Sequence, residues 1–309
     1  EKAVRLIRQA AGQGAMLCAF GEAWLPGFPL HALAAPASEA FLGLADEYLA
    51  QGVEIPGPEI EALCDTAREA HIDVVIGVSE RDIATRGTLY SSLVFISDEG
   101  ELLARHRKLR PAPYERAVWG DADYDICVHD RGYAIIGGLI GCEHQMALPT
   151  YALAEQGVQL HIAAWSGAAA DLRKPSPWAS QELLSRAFAV QTGSYVLCVG
   201  AQLSPATLPE RVRGFAGDAF TGGSLVIDPR GNVVAGPAAG ETILYVDCLP
   251  ASIRAAKIGF DCAGHSGRRD QLKLRTPMSD MQNQGIDGAD EGAPGDGGYG
   301  APPSGRARG

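Results

Sequence analysis

With 309 residues, 46% of them hydrophobic and 20% charged, the chain has the composition of a soluble globular protein, enough for one large domain or two small ones. Its formal net charge of -11 argues against nucleic acid and anionic membrane as partners, and no stretch reads as a membrane span or a signal peptide. The seven cysteines form no CxxC pair, so they indicate neither a disulfide framework nor a zinc knuckle, and they read as small core residues of a reduced, cytoplasmic protein.

Residues 1–11 place Val4, Ile7 and Ala11 on one face, which is helical spacing, and Gly12 and Gly14 end that helix. Residues 15–20 read as a buried strand with Gly21 and Glu22 at its end, where an open α/β architecture puts site residues. On position alone Glu22 reads equally well as a surface-loop carboxylate. A Pro-rich loop covers 25–37, a helix with Ser38 as N-cap covers 38–50, and Pro58 opens a helix to about residue 70. A strand over 73–79 precedes a hairpin over 87–107 that turns at Asp98-Glu99-Gly100. The segment HRKLRPAPYERAVWG at 106–120 reads as a solvated basic loop by charge, while Trp119 and the prolines indicate packing. The acidic run DADYD at 121–125 reads as a solvated turn, because it lacks the spacing of a calcium-binding loop.

The centre of the chain is YAIIGGLIGCEHQMALPTY, 133–151. Its apolar first half fits a strand buried on both faces. It breaks into Gly141, Cys142, Glu143 and His144 and continues as a helix-like segment toward Leu153. A thiol on a glycine turn between strand and helix is well placed as a nucleophile, since N–H groups at a helix start stabilise a thiolate. The plain alternative is a buried structural cysteine. His144 invites a Cys–His dyad, but adjacent side chains at a helix start point apart, which favours a supporting role. Further strands are expected at 158–165, 194–201 and 241–247, helices at 178–190 and 250–257, and loops at 166–176 and from 202 to about 221. A second hairpin starts at Ser224 and turns at Pro229-Arg230-Gly231. From 277 the Gly/Pro/Asp-rich sequence is too poor in apolar residues to fold alone, so the expected division is a domain over 1–276 and a disordered tail over 277–309.

Seven segments, in this order, resemble the nitrilase branch of the carbon–nitrogen hydrolase superfamily. They are GEAWLPGFP at 21–29, SERD and GTLY at 79–90, HRKLRP and ERAVWG at 106–120, GGLIGCEH at 137–144, YALAEQGVQLHIA at 151–163, GGSLVIDPRGNVVAGP at 222–237 and FDCAGHSGRRD at 260–270. The resemblance implies an α/β fold, the four-layer α-β-β-α sandwich of the nitrilase type. The strand with which family members usually begin has no counterpart ahead of the first helix, so the sandwich is expected to lack it. The resemblance also implies a catalytic set of Glu22, Lys108 and Glu115 with a cysteine. At the turn the family reads apolar residue, Cys, aromatic, Glu, whereas this chain reads Ile140, Gly141, Cys142, Glu143. Gly137, Gly138, Glu143 and Tyr151 keep the family register, which puts Gly141 at the nucleophile position and Cys142 at the aromatic one. Cys142 is taken as the nucleophile because it is the thiol of this turn.

The implied chemistry is hydrolysis of an organic nitrile to a carboxylic acid and ammonia. A thiolate attacks the nitrile carbon better than water does and divides the barrier through covalent thioimidate and thioester intermediates. Glu22 takes the thiol proton and later activates water. Lys108 stabilises the charge that develops on nitrogen, and Glu115 holds Lys108 and the water. No metal or organic cofactor is called for. The partner is a small nitrile, and the resemblance implies a homodimer or a larger homo-oligomer or spiral. Two other readings stay open: an amidase or cyanide-hydrating relative, and a non-catalytic homologue with Gly141 at the nucleophile position.

Overall fold

A computed structural model of the protein describes residues 1–33, 38–167, 180–203, 208–216, 222–238 and 240–277. The chain divides into two units, 1–272 and 273–309. Of the second, only residues 273–277 are described, so all but the first residue of the expected tail lies outside the described residues. The fold and the site belong to the first unit.

In chain order the first unit runs α1 (Lys2–Ala11), β1 (Leu17–Ala19), α2 (Glu39–Ala50), α3 (Pro58–Ala70), β2 (Asp73–Arg81), β3 (Leu89–Ile96), β4 (Leu102–Arg107), β5 (His129–Asp130) and β6 (Ile135–Ile140). It continues with α4 (Ala147–Glu155), β7 (Leu160–Trp165), α5 (Gln181–Thr192), β8 (Tyr195–Gly200), α6 (Glu210–Ala216), β9 (Leu225–Ile227), β10 (Val233–Ala235) and α7 (Pro250–Gly259). The strands make two sheets, a four-stranded one in the order β1-β2-β3-β4 and a six-stranded one in the order β10-β9-β8-β7-β6-β5. β1 and β2 are parallel, as are β6, β7 and β8. The hairpin strands β2, β3 and β4 run antiparallel.

The apolar pattern of each strand decides which layer it faces. Successive side chains of a strand alternate between faces, so Val75, Leu93 and Phe95 of the first sheet meet Ile136, Ile140, Leu160 and Ile162 of the second in one buried cluster. Val74, Ile76, Val78, Val94 and Ile96, from the opposite face, pack on Ala3, Ile7 and Ala10 of α1 and on Ile60, Leu63 and Ala67 of α3. Burying a Leu, Ile or Val of this kind contributes about 1.5–3 kcal/mol. On the outer face of the second sheet α5 packs against β8, and α4 against α5. The order is therefore helices, sheet, sheet, helices, the four-layer sandwich.

Three details differ from the sequence reading. Residues 241–247 carry a short apolar run like a strand but join no ladder; the six-stranded sheet ends at β10. The expected loop after β8 contains α6, seven residues interrupted by Gly214, whose glycine masks the helical signal. The acidic run 121–125 is no free turn, because Asp125 accepts the Arg107 N–H at 3.0 Å and binds the His106 ring.

Candidate active site

Glu22 reaches the interior because β2 carries a glycine at the right point. A Cβ on Gly77 would stand 2.3 Å from the Gly21 carbonyl oxygen and 2.8 Å from the Ala23 nitrogen, so only glycine lets residues 21–23 lie against β2. The Glu22 N–H then donates to the Trp165 carbonyl at the end of β7, at 3.1 Å. Lys108 follows β4 directly, and its N–H donates to the Ser91 carbonyl at 2.8 Å. Glu115 opens a short 3-10 turn, Glu115–Ala117, and its Oε2 accepts the Ala112 N–H at 2.8 Å.

These three side chains, from separate segments, meet beyond the strand ends. Lys108 Nζ donates to Glu22 Oε1 and to Glu115 Oε2, both at 2.7 Å. Ser91 Oγ donates to Glu22 Oε1 at 3.2 Å. All three are 2% exposed or less. Burial drives the Glu22 carboxyl up to about 7, opposed by Lys108 and assisted by the like charge of Glu115. Burial alone would lower the Lys108 pKa, but the two carboxylates outweigh it and hold the ammonium well above its usual range.

Facing this group is the 3-10 turn Gly141–Gln145 at the end of β6. Gly141 has a φ of +47°, a conformation that favours glycine. A Cβ placed on it would stand 3.1 Å from Glu22 Oε2 and 3.3 Å from Lys108 Nζ. Among the described residues Glu22 Oε2 has no hydrogen-bond partner. The Cys142 thiol is half-buried and donates to the Arg110 carbonyl at 3.6 Å. Burial pushes it up to about 11, with Lys108 acting in the opposite direction. Among the described residues the thiol makes no hydrogen bond to Glu22. Successive residues of the tight turn point different ways, and residue 141 is the one aimed at the carboxylate and the ammonium.

Two polar chains hold the turn from behind. Glu143, fully buried, accepts the Ile140 N–H at 2.8 Å, the Leu109 N–H at 2.8 Å and His106 Nε2 at 2.9 Å. The other ring nitrogen of His106, Nδ1, lies 2.5 Å from Asp125 Oδ1. His144 is not a dyad partner of Cys142: its Nδ1 donates to the Gly141 carbonyl at 2.9 Å, and its Nε2 lies 2.9 Å from His161 Nε2. Trp165 stacks on His144 and donates to Ser185, and Trp24 packs on Phe20, so both belong to the packing.

Glu22, Lys108 and Glu115 thus form one buried group, and Cys142 lies on the turn that faces it. The motifs do not point to Ser91, His106 or Asp125 as site residues. The signal for the last two was a histidine between two arginines in a hairpin strand, since buried imidazole nitrogens are mostly hydrogen-bonded.

A protein-family model described as carbon-nitrogen hydrolase matches residues 1–258. The chain is 44% identical over 283 residues to nitrilase 2 from an unknown prokaryotic organism, covering 91% of this chain and 87% of that one. It is 33% identical over 293 residues to an aliphatic nitrilase from Rhodococcus rhodochrous, covering 89% and 76% of the two chains. Among solved structures, Nit3 of Saccharomyces cerevisiae, a member of branch 10 of the nitrilase superfamily, superposes with a TM-score of 0.65 at 21% identity, covering 86% of this chain and 88% of that one.

Proposed function

Since the chain belongs to the carbon-nitrogen hydrolase family, we propose that it is a nitrilase, converting an organic nitrile and two waters to a carboxylic acid and ammonia. The observation that carries this reading is the buried Glu22–Lys108–Glu115 group in front of the 141–145 turn. The naming of the 44% and 33% identical relatives as nitrilases supports the substrate class.

In the proposed sequence Cys142 supplies the thiol. Rotation of the backbone at Gly141 carries it from the Arg110 carbonyl toward Glu22. Lys108, which already favours the thiolate, supports this assignment. Glu22 accepts the thiol proton as sulfur bonds to the nitrile carbon, and the C–N π electrons move onto nitrogen beside Lys108. The nitrogen takes the proton, giving a thioimidate. Water activated by Glu22 adds to it, the C–N bond breaks and ammonia leaves. A second water splits the thioester and returns the thiol. Glu115 keeps Lys108 pointed at the nitrogen.

One observation favours a second reading, a catalytically impaired homologue: Gly141, and not Cys142, faces Glu22 and Lys108. Ammonia release from a panel of aliphatic and aromatic nitriles and their amides, by wild type and Cys142→Ala, decides between them. Turnover that is lost in Cys142→Ala supports the nitrilase with a Cys142 nucleophile. A wild type silent on every nitrile and amide supports the impaired homologue.

The reading includes work in the cytoplasm as a homodimer or larger homo-oligomer. All seven cysteines are free, which suits a reducing compartment. Exposed Leu148 on α4 and Leu183 on α5 offer apolar surface on the outer layer. Sedimentation that finds only monomer over a wide concentration range refutes the assembly. Among the described residues no helix is long and apolar enough to cross a membrane.

A further inference from the structure

We propose that His106 is a positioning residue that fixes Lys108 and the 141–145 turn relative to each other, through Asp125 and Glu143. The inference rests on the reading of Lys108 as the working cation.

The geometry is bilateral. The two peptide N–H groups that flank Lys108 are those of Arg107 and Leu109. The first donates to Asp125 Oδ2 at 3.0 Å and the second to Glu143 Oε1 at 2.8 Å. The same two carboxylates grip the His106 ring, Asp125 at Nδ1 and Glu143 at Nε2. Lys108 therefore hangs between two fixed points, and the ring is the bar that joins them. Glu143 also accepts the Ile140 N–H, one residue before Gly141. One carboxylate thus sets the end of β4 and the end of β6, and the Lys108 ammonium is placed against the turn to within the play of these bonds.

The bar has to be an imidazolium. A neutral ring has one donor and one acceptor, and an ionised carboxylate only accepts. Two carboxylates on one ring need both nitrogens protonated. Burial works against the charge, but Glu143 and Asp125 outweigh it and raise the ring to about 10. Without the cation, Glu143 is a fully buried carboxylate whose charge is met only by the Ile140 and Leu109 amides, and Asp125 loses its link to Glu143.

The readout is the Glu22 carboxyl, because it reports where the ammonium is. The groups acting on Glu22 are Lys108, Glu115 and Ser91, with Tyr48, Tyr114 and Cys142 as its further titratable neighbours. The experiment is a carbon-13 NMR titration of glutamate carboxyls in the full chain, for wild type, His106→Gln and Asp125→Asn, each checked for a cooperative unfolding transition. In wild type we expect the Glu22 midpoint at about 7, where burial pushes it. In His106→Gln its midpoint rises by about one unit or more as the ammonium moves off, and Asp125→Asn shifts it less in the same direction. An unmoved Glu22 midpoint in folded His106→Gln overturns the proposal. Should that variant not fold, an unmoved midpoint in Asp125→Asn overturns it. With a turned-over nitrile, His106→Gln also lowers kcat about 10²-fold while KM stays within about twofold. A protein silent on nitriles fails the nitrilase reading and leaves the carboxyl titration to decide this one.

Discussion

The Oε2 oxygen of Glu22 faces Gly141 at the distance where a side chain would begin, 3.1 Å from the Cβ position. Rebuilding the family order there, with Gly141→Cys and Cys142→Trp together, puts a sulfur directly before the carboxylate. The left-handed φ of residue 141 and the tight contact cost about 1–3 kcal/mol of stability. We expect the double variant to melt lower than wild type in a thermal scan and to release ammonia from nitriles at least as fast. Cys142→Ala loses turnover by about 10²-fold or more if Cys142 is the nucleophile. Wild-type rates in Cys142→Ala rule that assignment out.

Glu22 must be ionised to accept a proton, and burial pushes its carboxyl up to about 7. kcat/KM is therefore expected to rise as pH increases through about 7. Stability moves the other way. A carboxyl raised from its ordinary 4.5 contributes stability that is fully present below 4.5 and lost as pH rises through about 7. Glu22→Gln should abolish the rate limb and flatten the thermal midpoint over the same window. A rate limb that persists unchanged in Glu22→Gln assigns it to another group.

Lys108 is the cation shared by Glu22 and Glu115. Its replacement by Met leaves two buried carboxylates beside each other, a loss of about 3–5 kcal/mol. Urea denaturation should show that loss at pH 8 and less of it at pH 5, where Glu22 is protonated. The double change Lys108→Met with Glu22→Gln recovers part of it. Equal losses at both pH values would show that packing, not charge, is what Lys108 supplies.

Gly77→Ala tests how Glu22 is placed. The new methyl meets the Gly21 carbonyl oxygen at 2.3 Å and pushes residues 21–23 off β2. The strain is worth about 1–3 kcal/mol, and the Glu22–Lys108 bond lengthens with it. We expect a kcat loss larger than the stability loss accounts for, measured at a temperature where the variant is fully folded. Unchanged kcat would mean that the 21–23 segment is free to shift without moving the carboxylate.

The His106 clamp has its own pH signature. The ring is raised from 6.5 to about 10 in the folded protein. Its contribution to stability is fully present below about 6.5 and is lost as pH rises through 10. Denaturation midpoints of wild type should fall across that alkaline range more steeply than those of His106→Gln. Parallel curves would show that the ring carries no extra proton.

Much of this was legible in the sequence because it is written in local pattern. β2, β6 and β7 are short apolar runs bounded by turn residues, and both hairpins carry their turns at Gly100 and Gly231. Glu22, Lys108 and Glu115 were legible through motifs, and each stands just past a strand or at a short turn. What was illegible depends on partners far along the chain. Asp125 looks like one carboxylate among several in DADYD, and only the fold brings it to His106. ETILYVD at 241–247 has a strand-like apolar run, but a strand also needs an edge to join, which composition does not reveal. The aim of the Cys142 thiol is a matter of one residue of register, and Gly141 takes the inward position.

The paired imidazoles behind the turn have a direction. The Gly141 carbonyl only accepts, so His144 Nδ1 bears the hydrogen, and its Nε2 must accept from His161 Nε2. That leaves the lone pair of His161 Nδ1 facing no donor among the described residues. With both rings neutral, the pair therefore has a fixed polarity, running from His161 through His144 to the Gly141 carbonyl. Burial lowers His144 to about 4 and His161 well below its ordinary 6.5. The Gly141 carbonyl is consequently insulated: it rests on a dipole, not a cation, throughout the range in which Glu22 ionises, and neither imidazole adds a limb to the pH profile there.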